Sequence, residues 1–360
     1  MLIIDSHLDL GWNALQWNRD LRQSVYTIRA QEAGMAGPGR GQGTVALPEL
    51  RRGRVALCFA TTLARATGRP VAGVDYLSPA QAYAAAQGHL HYYRALEALQ
   101  YLRLIGSREQ LNQHISDWEA WDLRVDASLD AAPPLGVVCA MESADPILQP
   151  ADVPSWWESG VRFIGPAHYG HGRYAGGTGS EEGLTPQGYD LLAWMERTGM
   201  ILDLTHLSDL AFWQALDHFH GPIAASHNNC RGLVPHQRQF ADDQIRAIVA
   251  RDGVIGVAFD VWMMQFGWVS GSASNPRVPL ARIVDHIDHI CQIAGSSRHV
   301  GIGSDLDGGF GREQSPHDLD TIADLQNLAT LLPQRGYHAD DVSAIMHGNW
   351  LRLLRRAWTQ

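Results

Sequence analysis

Leu2-Ile3-Ile4-Asp5-Ser6-His7-Leu8-Asp9 joins three apolar residues to a polar run whose His and Asp stand two positions apart. A short Ile-rich run of this kind reads as a buried strand, and the polar residues that end it read as the strand's C-terminal rim. Seven similar runs follow: Val55–Phe59, Gly136–Met141, Val161–Ile164, Met200–Leu204, Pro222–Ala225, Val254–Phe259 and Val300–Gly303. Between most of them lie stretches of helical periodicity, clearest at Gln81–Leu104, Gln187–Thr198, Asp209–Phe219, Ala241–Arg251 and Leu280–Ala294. Leu319–Leu332 and Asp340–Trp358 come after the last strand. Eight alternations predict an α/β fold, a (β/α)8 TIM barrel with extra helices; a doubly wound sheet is the rival on pattern alone.

Such a barrel needs about 250 residues, and the chain has 360. The surplus falls in a long insertion after strand one and in residues 60–135. Neither reads as a linker, so residues 1–360 are taken as a single domain. Within the Gly-rich segment Gly34–Thr44 of the insertion, Gly37–Gly43 matches no phosphate-loop spacing and reads as a mobile surface loop, as does Gly176–Gly179.

Composition removes several functions. The net charge is −10 without a basic run, which argues against nucleic acid and anionic membrane as partners. No apolar run approaches the ~20 residues that span a bilayer. Met1 leads straight into the first strand with no basic leader, so the expected location is the cytoplasm. Four scattered cysteines form no CxxC pair and read as buried reduced thiols. The chain has no lysine: all 28 basic residues are Arg. That excludes Schiff-base chemistry, a P-loop lysine and a carboxylated lysine between two metals. A bridge between metals would have to be Asp, Glu or solvent.

Active sites of such barrels lie at the C-terminal strand ends. Those ends carry His7 and Asp9, Glu142, His168, Asp203 and His206, His227, and Asp305. Any one of them alone reads as an ordinary polar residue, and Asp305 alone reads equally as a loop cap beside the Asp307-Gly308 turn signal. As a set they point to metal. Zinc accepts imidazole nitrogen and carboxylate oxygen. His7 and Asp9 suit one ion, His206 and His227 a second, and Glu142 has two oxygens with which to bridge them. The other histidines, among them His89, His91, His218, His220, His286 and His289, fall in or beside helices and read as structural or surface residues.

The segments Asp5-Ser-His7-Leu-Asp9, Met141-Glu142, Gly160 to His168, Gly183-Leu-Thr-Pro-Gln-Gly188, Asp203 to Ser208, Ser226-His227, Arg238 with Asp242-Asp243, Gly303 to Gly308 and Gly348-Asn349 resemble the membrane dipeptidase (renal dipeptidase) family, peptidase family M19, of the amidohydrolase-like barrels. The resemblance spans nearly the whole chain. It implies a binuclear zinc dipeptidase acting on small dipeptides, with tolerance for a D-residue at the C-terminal side. A metal-bridging hydroxide would be the nucleophile. It implies zinc ligation by His7, Asp9, Glu142, His206 and His227. His168 would steady the tetrahedral intermediate, Arg238 would hold the terminal carboxylate and Asp305 would shuttle the proton. A homodimer is favoured. Ser143 stands where Gly commonly follows the bridging Glu, and Asn228-Asn229 replace small hydroxyl residues, which bears on substrate choice. The Tyr169–Gly183 and Trp262–Pro279 loops differ too, the second reading as a substrate lid or a dimer contact. Other readings are an amidohydrolase for another small amide, such as an N-acyl amino acid, and a silent ligand-binding barrel.

Overall fold

The computed structural model describes residues 1–69, 71–124 and 128–358. Residues 359–360 of the expected domain, and 70 and 125–127 of the second insertion, lie outside them. Nine parallel strands form: β1 (Ile3–Leu8), β2 (Val55–Leu63), β3 (Leu102–Leu104), β4 (Leu135–Glu142), β5 (Val161–Gly165), β6 (Ile201–Asp203), β7 (Ile223–Ala224), β8 (Ile255–Val257) and β9 (Val300–Ile302). All but β3 follow one path, β7-β6-β5-β4-β2-β1-β9-β8. A bridge between Ala225 and Ile255 joins β7 to β8, with Ala225 N–H donating to Val254 and Gly256 N–H donating to Ala225. The sheet therefore closes into the expected eight-stranded barrel, and the doubly wound alternative falls.

Residues alternate between the barrel interior and the helical layer because side chains alternate along a strand. Ile4, Leu57, Phe59, Val138, Ala140, Phe163, Ile201 and Ala224 share one core with Trp350. Ile3, Cys58, Val137, Cys139 and Ile164 belong to another, under the helices. Trp350 closes the interior: its ring meets Phe59 at 5.2 Å and its indole N–H donates to Ile302 O at 3.0 Å. Gly301 faces that indole nitrogen and leaves no room for a Cβ.

Helices begin where the sequence offers a cap. Ser107, Thr185 and Ser208 each accept a backbone N–H of the first turn of Arg108–Asp122, Pro186–Thr198 and Asp209–His218. Gly199 and Gly295 end two helices in the left-handed conformation.

Three expectations need correction. The helix expected over Gln81–Leu104 runs Pro79–Ala98. Gln100 then turns left-handed (φ 61°), and Leu102–Leu104 leave as β3 to pair with Leu135–Val137. Backbone pairing with the start of β4, whose other flank β5 joins only from Cys139 on, overrides helical periodicity there. The single helix expected over Asp340–Trp358 is Ala339–Ser343 and Asn349–Ala357 joined by a π-helical turn, Ala344–Gly348. Gly34–Thr44 is tied down: buried Arg19 donates to Gly39 O, Glu32 accepts from Gly41 N, and Asp307 accepts from Thr44 N. The four cysteines are free. Among the described residues no helix is long and apolar enough to cross a membrane.

Candidate active site

β1 does not deliver its ligands by simple alternation. Its pairing with β2 steps from Asp5–Cys58 to Leu8–Ala60, three residues against two, so the strand bulges beside the site. Ser6 points across the barrel to Ser226 O and Ile302 O, and after the bulge His7 turns toward the rim. Asp9 lies beyond the strand, as the N-cap of Leu10–Leu15. The two still converge, His7 Nε2 lying 3.9 Å from Asp9 Oδ1.

All eight residues singled out from sequence come together. His7 Nε2 is 3.6 Å from Glu142 Oε2 and 3.8 Å from Asp305 Oδ1. The other Glu142 oxygen, Oε1, is 3.2 Å from His206 Nε2, 3.4 Å from His227 Nε2 and 3.6 Å from His168 Nε2. Asp9, Glu142, His168, His206, His227, Arg238 and Asp305 line one cavity of about 100 Å³, and the His7 ring lies 3.7 Å from that of His227, tilted by 38°. His206 and Asp305 adopt left-handed backbone (φ 67° and 57°), as does Ser143 (φ 73°) after Glu142. The Ser143 conformation is one that glycine adopts without steric cost. Strain of this kind collects at functional sites.

Other residues hold these in place, and only some were legible. Ser226 Oγ donates to Asp203, so it accepts from His227 Nδ1 at 2.9 Å. Thr178 Oγ1 donates to His206 O and accepts from His206 Nδ1 at 3.0 Å. Asp5 accepts from the backbone N–H groups of His7 and Ser304, tying β1 to β9. An acid two or three places before a rim histidine, Asp5 before His7 and Asp203 before His206, was a signal present in the sequence. Arg65, which donates to His168 Nδ1 at 3.0 Å, carried none. Nor did Thr61, which donates to Asp9. Leu63, Tyr169, Asp260, Trp262, Met263 and Gly308 complete the cavity, so the Trp262–Pro279 segment lines the site with its first two residues.

The donor set fits divalent cations. Both Nδ1 atoms of His206 and His227 donate to hydroxyl oxygens that spend their own protons elsewhere. Their Nε2 lone pairs then face each other at 3.1 Å beside anionic Glu142, with no proton between them. Only a cation relieves that arrangement. His7 Nε2 is buried with no hydrogen-bond partner. Three triads lie close enough to share an ion: His7, Asp9 and Glu142; Glu142, His206 and His227; His7, His227 and Asp305.

Electrostatics agree. Burial opposes charge on His7, but Glu142, then Asp9 and Asp305, outweigh it and raise its pKa to about 10. Burial pushes Asp9 up to about 6, and Asp305 well above the usual carboxylate range. Burial also opposes charge on Glu142, yet His168 and His7 hold it well below that range. Burial depresses His206 and His227 strongly and His168 to about 4, leaving neutral imidazoles. Three acids, Asp9, Glu142 and Asp305, crowded beside the neutral imidazoles of His168, His206 and His227 make a site that favours bound positive charge.

The family model described as membrane dipeptidase (peptidase family M19) matches residues 1–359. An uncharacterised Klebsiella pneumoniae protein from the pqqA 5′ region is 33% identical over 58% of the chain and 77% of its own length. Dipeptidase tcpJ of Claviceps purpurea is 32% identical over 54% of the chain, but the match spans only 44% of that protein. Among solved structures, the probable dipeptidase PvdM from Pseudomonas aeruginosa superposes with TM-score 0.80 at 18% identity, covering 100% of this chain and 96% of that one. A Rhodobacter sphaeroides metallopeptidase liganded with a phosphinate mimic of L-Ala-D-Ala gives 0.76 at 22% identity, covering 99% of each. At these identities the likeness is one of fold.

Proposed function

Because the chain belongs to the membrane dipeptidase family, peptidase family M19, we propose that it is a binuclear zinc dipeptidase acting on small dipeptides, L-D dipeptides among them. The carrying observation is Glu142, whose two oxygens face separate donor groups. His7 and Asp9 would hold one ion, His206 and His227 the other, with Glu142 shared. Zinc suits these nitrogen and oxygen donors. Bound there, divalent ions supply an acidified water and a charge that polarises a carbonyl.

The chain's own residues do the rest. Arg238 is buried, donates to Asn228 and to His227 O, and lines the cavity. It receives the substrate's terminal carboxylate. Arg65 donates to His168 Nδ1, so neutral His168 carries its proton on Nε2 and offers it to the carbonyl oxygen. Asp305 Oδ1 takes a proton from the attacking water and passes it to the departing amine. The ligand of the Rhodobacter structure supports including L-D dipeptides. The resemblance extends the proposal to a homodimer, checked by mass in solution.

The test is a panel of L-L and L-D dipeptides and N-acyl amino acids, run on metal-analysed protein with a chelator control. Expected are two metals per chain and chelator-sensitive dipeptide cleavage. Preferential turnover of N-acyl amino acids would replace the substrate assignment. Two bound metals with no turnover would favour a ligand-binding barrel.

A further inference from the structure

Two opposite charges line the cavity without pairing. Arg238 is 3% exposed and Asp260 6% exposed. Neither forms an ion pair among the described residues, although both face the same small space. Arg238's described hydrogen bonds go to neutral oxygens, on Asn228 and His227. Asp260 Oδ2 accepts from Gln314 Nε2 at 2.9 Å and Oδ1 from Trp262 N–H at 3.4 Å, again neutral groups. Each carboxylate oxygen can accept further hydrogen bonds. A buried carboxylate with no ion-pair partner is costly to charge, and burial pushes Asp260 up to about 7, so a cation brought beside it favours its charged form. Asp260 is also held in place: it caps the Val261–Met264 turn, whose Trp262 and Met263 form the adjacent cavity wall.

Resting on the dipeptidase reading, we propose that Asp260 is a specificity residue that receives a cationic group of the substrate while Arg238 takes the carboxylate. The ligand class is then a zwitterionic or basic dipeptide. The cation is either the α-ammonium or a basic side chain, and both present the same N–H donors to Asp260. This also disfavours N-acyl amino acids, which lack the first and commonly the second.

The test compares kcat/KM of the metal-loaded enzyme on Ala-Lys, Ala-norleucine and acetyl-Ala-norleucine. A basic side chain at Asp260 makes Ala-Lys at least tenfold better than Ala-norleucine, a substrate of similar length without the charge. The α-ammonium at Asp260 makes Ala-norleucine at least tenfold better than its acetylated form. Asp260→Asn should collapse whichever ratio is large, mainly through KM. Equal rates on all three substrates in the wild-type enzyme overturn the proposal without any variant, as does a ratio that survives Asp260→Asn. Turnover of none of the three sinks the dipeptidase reading instead.

Discussion

Asp305 and Arg65 act on the same reaction from different distances, and their variants should separate. Asp305 Oδ1 stands 3.8 Å from His7 Nε2 at the cavity wall. Asp305→Asn keeps shape and removes the proton carrier, so kcat should fall by about 10²–10⁴ with metal content unchanged. Metal analysis beside steady-state rates checks it, and near-normal turnover would remove Asp305 from the mechanism. Arg65 works through His168. It also pairs with buried Asp75 at 3.0 Å, which fixes the guanidinium. Arg65→Met leaves the tautomer of His168 free and should lower kcat by about 10–100-fold while KM changes less. Arg65→Lys, still a donor, should recover part of the loss. Equal effects of Met and Lys would reduce Arg65 to a packing residue.

At the scale of elements, the insertion after β1 is anchored to the loop that carries Asp305. Arg19 is the joint. It donates to Glu32 at 2.8 Å, to Asp307 at 3.1 Å and to Gly39 O at 2.7 Å, and it is buried. Asp307 in turn accepts from Thr44 and Val45. Removing one partner from a buried charge network costs about 3–5 kcal/mol. Arg19→Met should therefore destabilise the protein by that order, and the amides of Gly39, Gly41 and Thr44 should exchange faster with solvent. Denaturant unfolding with hydrogen exchange tests both. Unchanged exchange at those amides would mean that Gly34–Thr44 is held by other contacts.

For the whole molecule, three buried histidines outside the site set an acid limit. Burial lowers His89, His114 and His286 to about 4. His89 faces Gln16, His114 faces Ala56 O and Arg103, and His286 faces Cys230 N and Met264 O. A folded pKa below the unfolded value of about 6.5 means that the unfolded chain binds the proton first. Stability is unaffected by these groups above pH 6.5 and falls between 6.5 and 4, by roughly 3 kcal/mol for each. Urea unfolding of metal-free protein across that range should show the loss, and His89→Gln should reduce it by about a third. A wild-type curve that stays level from pH 6.5 to 4.5 would contradict the buried neutral state.

Local chemistry made much of this protein legible from its residues alone. Apolar runs with polar ends predict barrel strands because a parallel strand is buried on both faces, and all eight appeared. Eight polar residues at or beyond those ends met at one rim because the barrel brings successive strand ends together. The missing lysine left any protein-borne bridge to a carboxylate, a matter of composition. What remained hidden depends on contacts between residues far apart in the chain. β3 forms on the start of β4 that β5 leaves unpaired, His7 is re-aimed by a bulge that only pairing with β2 creates, and Arg65 reaches His168 across 103 positions. Asp260 follows the Val254–Phe259 run and was not singled out from the sequence, and folding places its carboxyl in the same cavity as Arg238. Residue type determines which chemistry is available; three-dimensional packing decides which groups are left without partners, and those groups carry the proposed specificity.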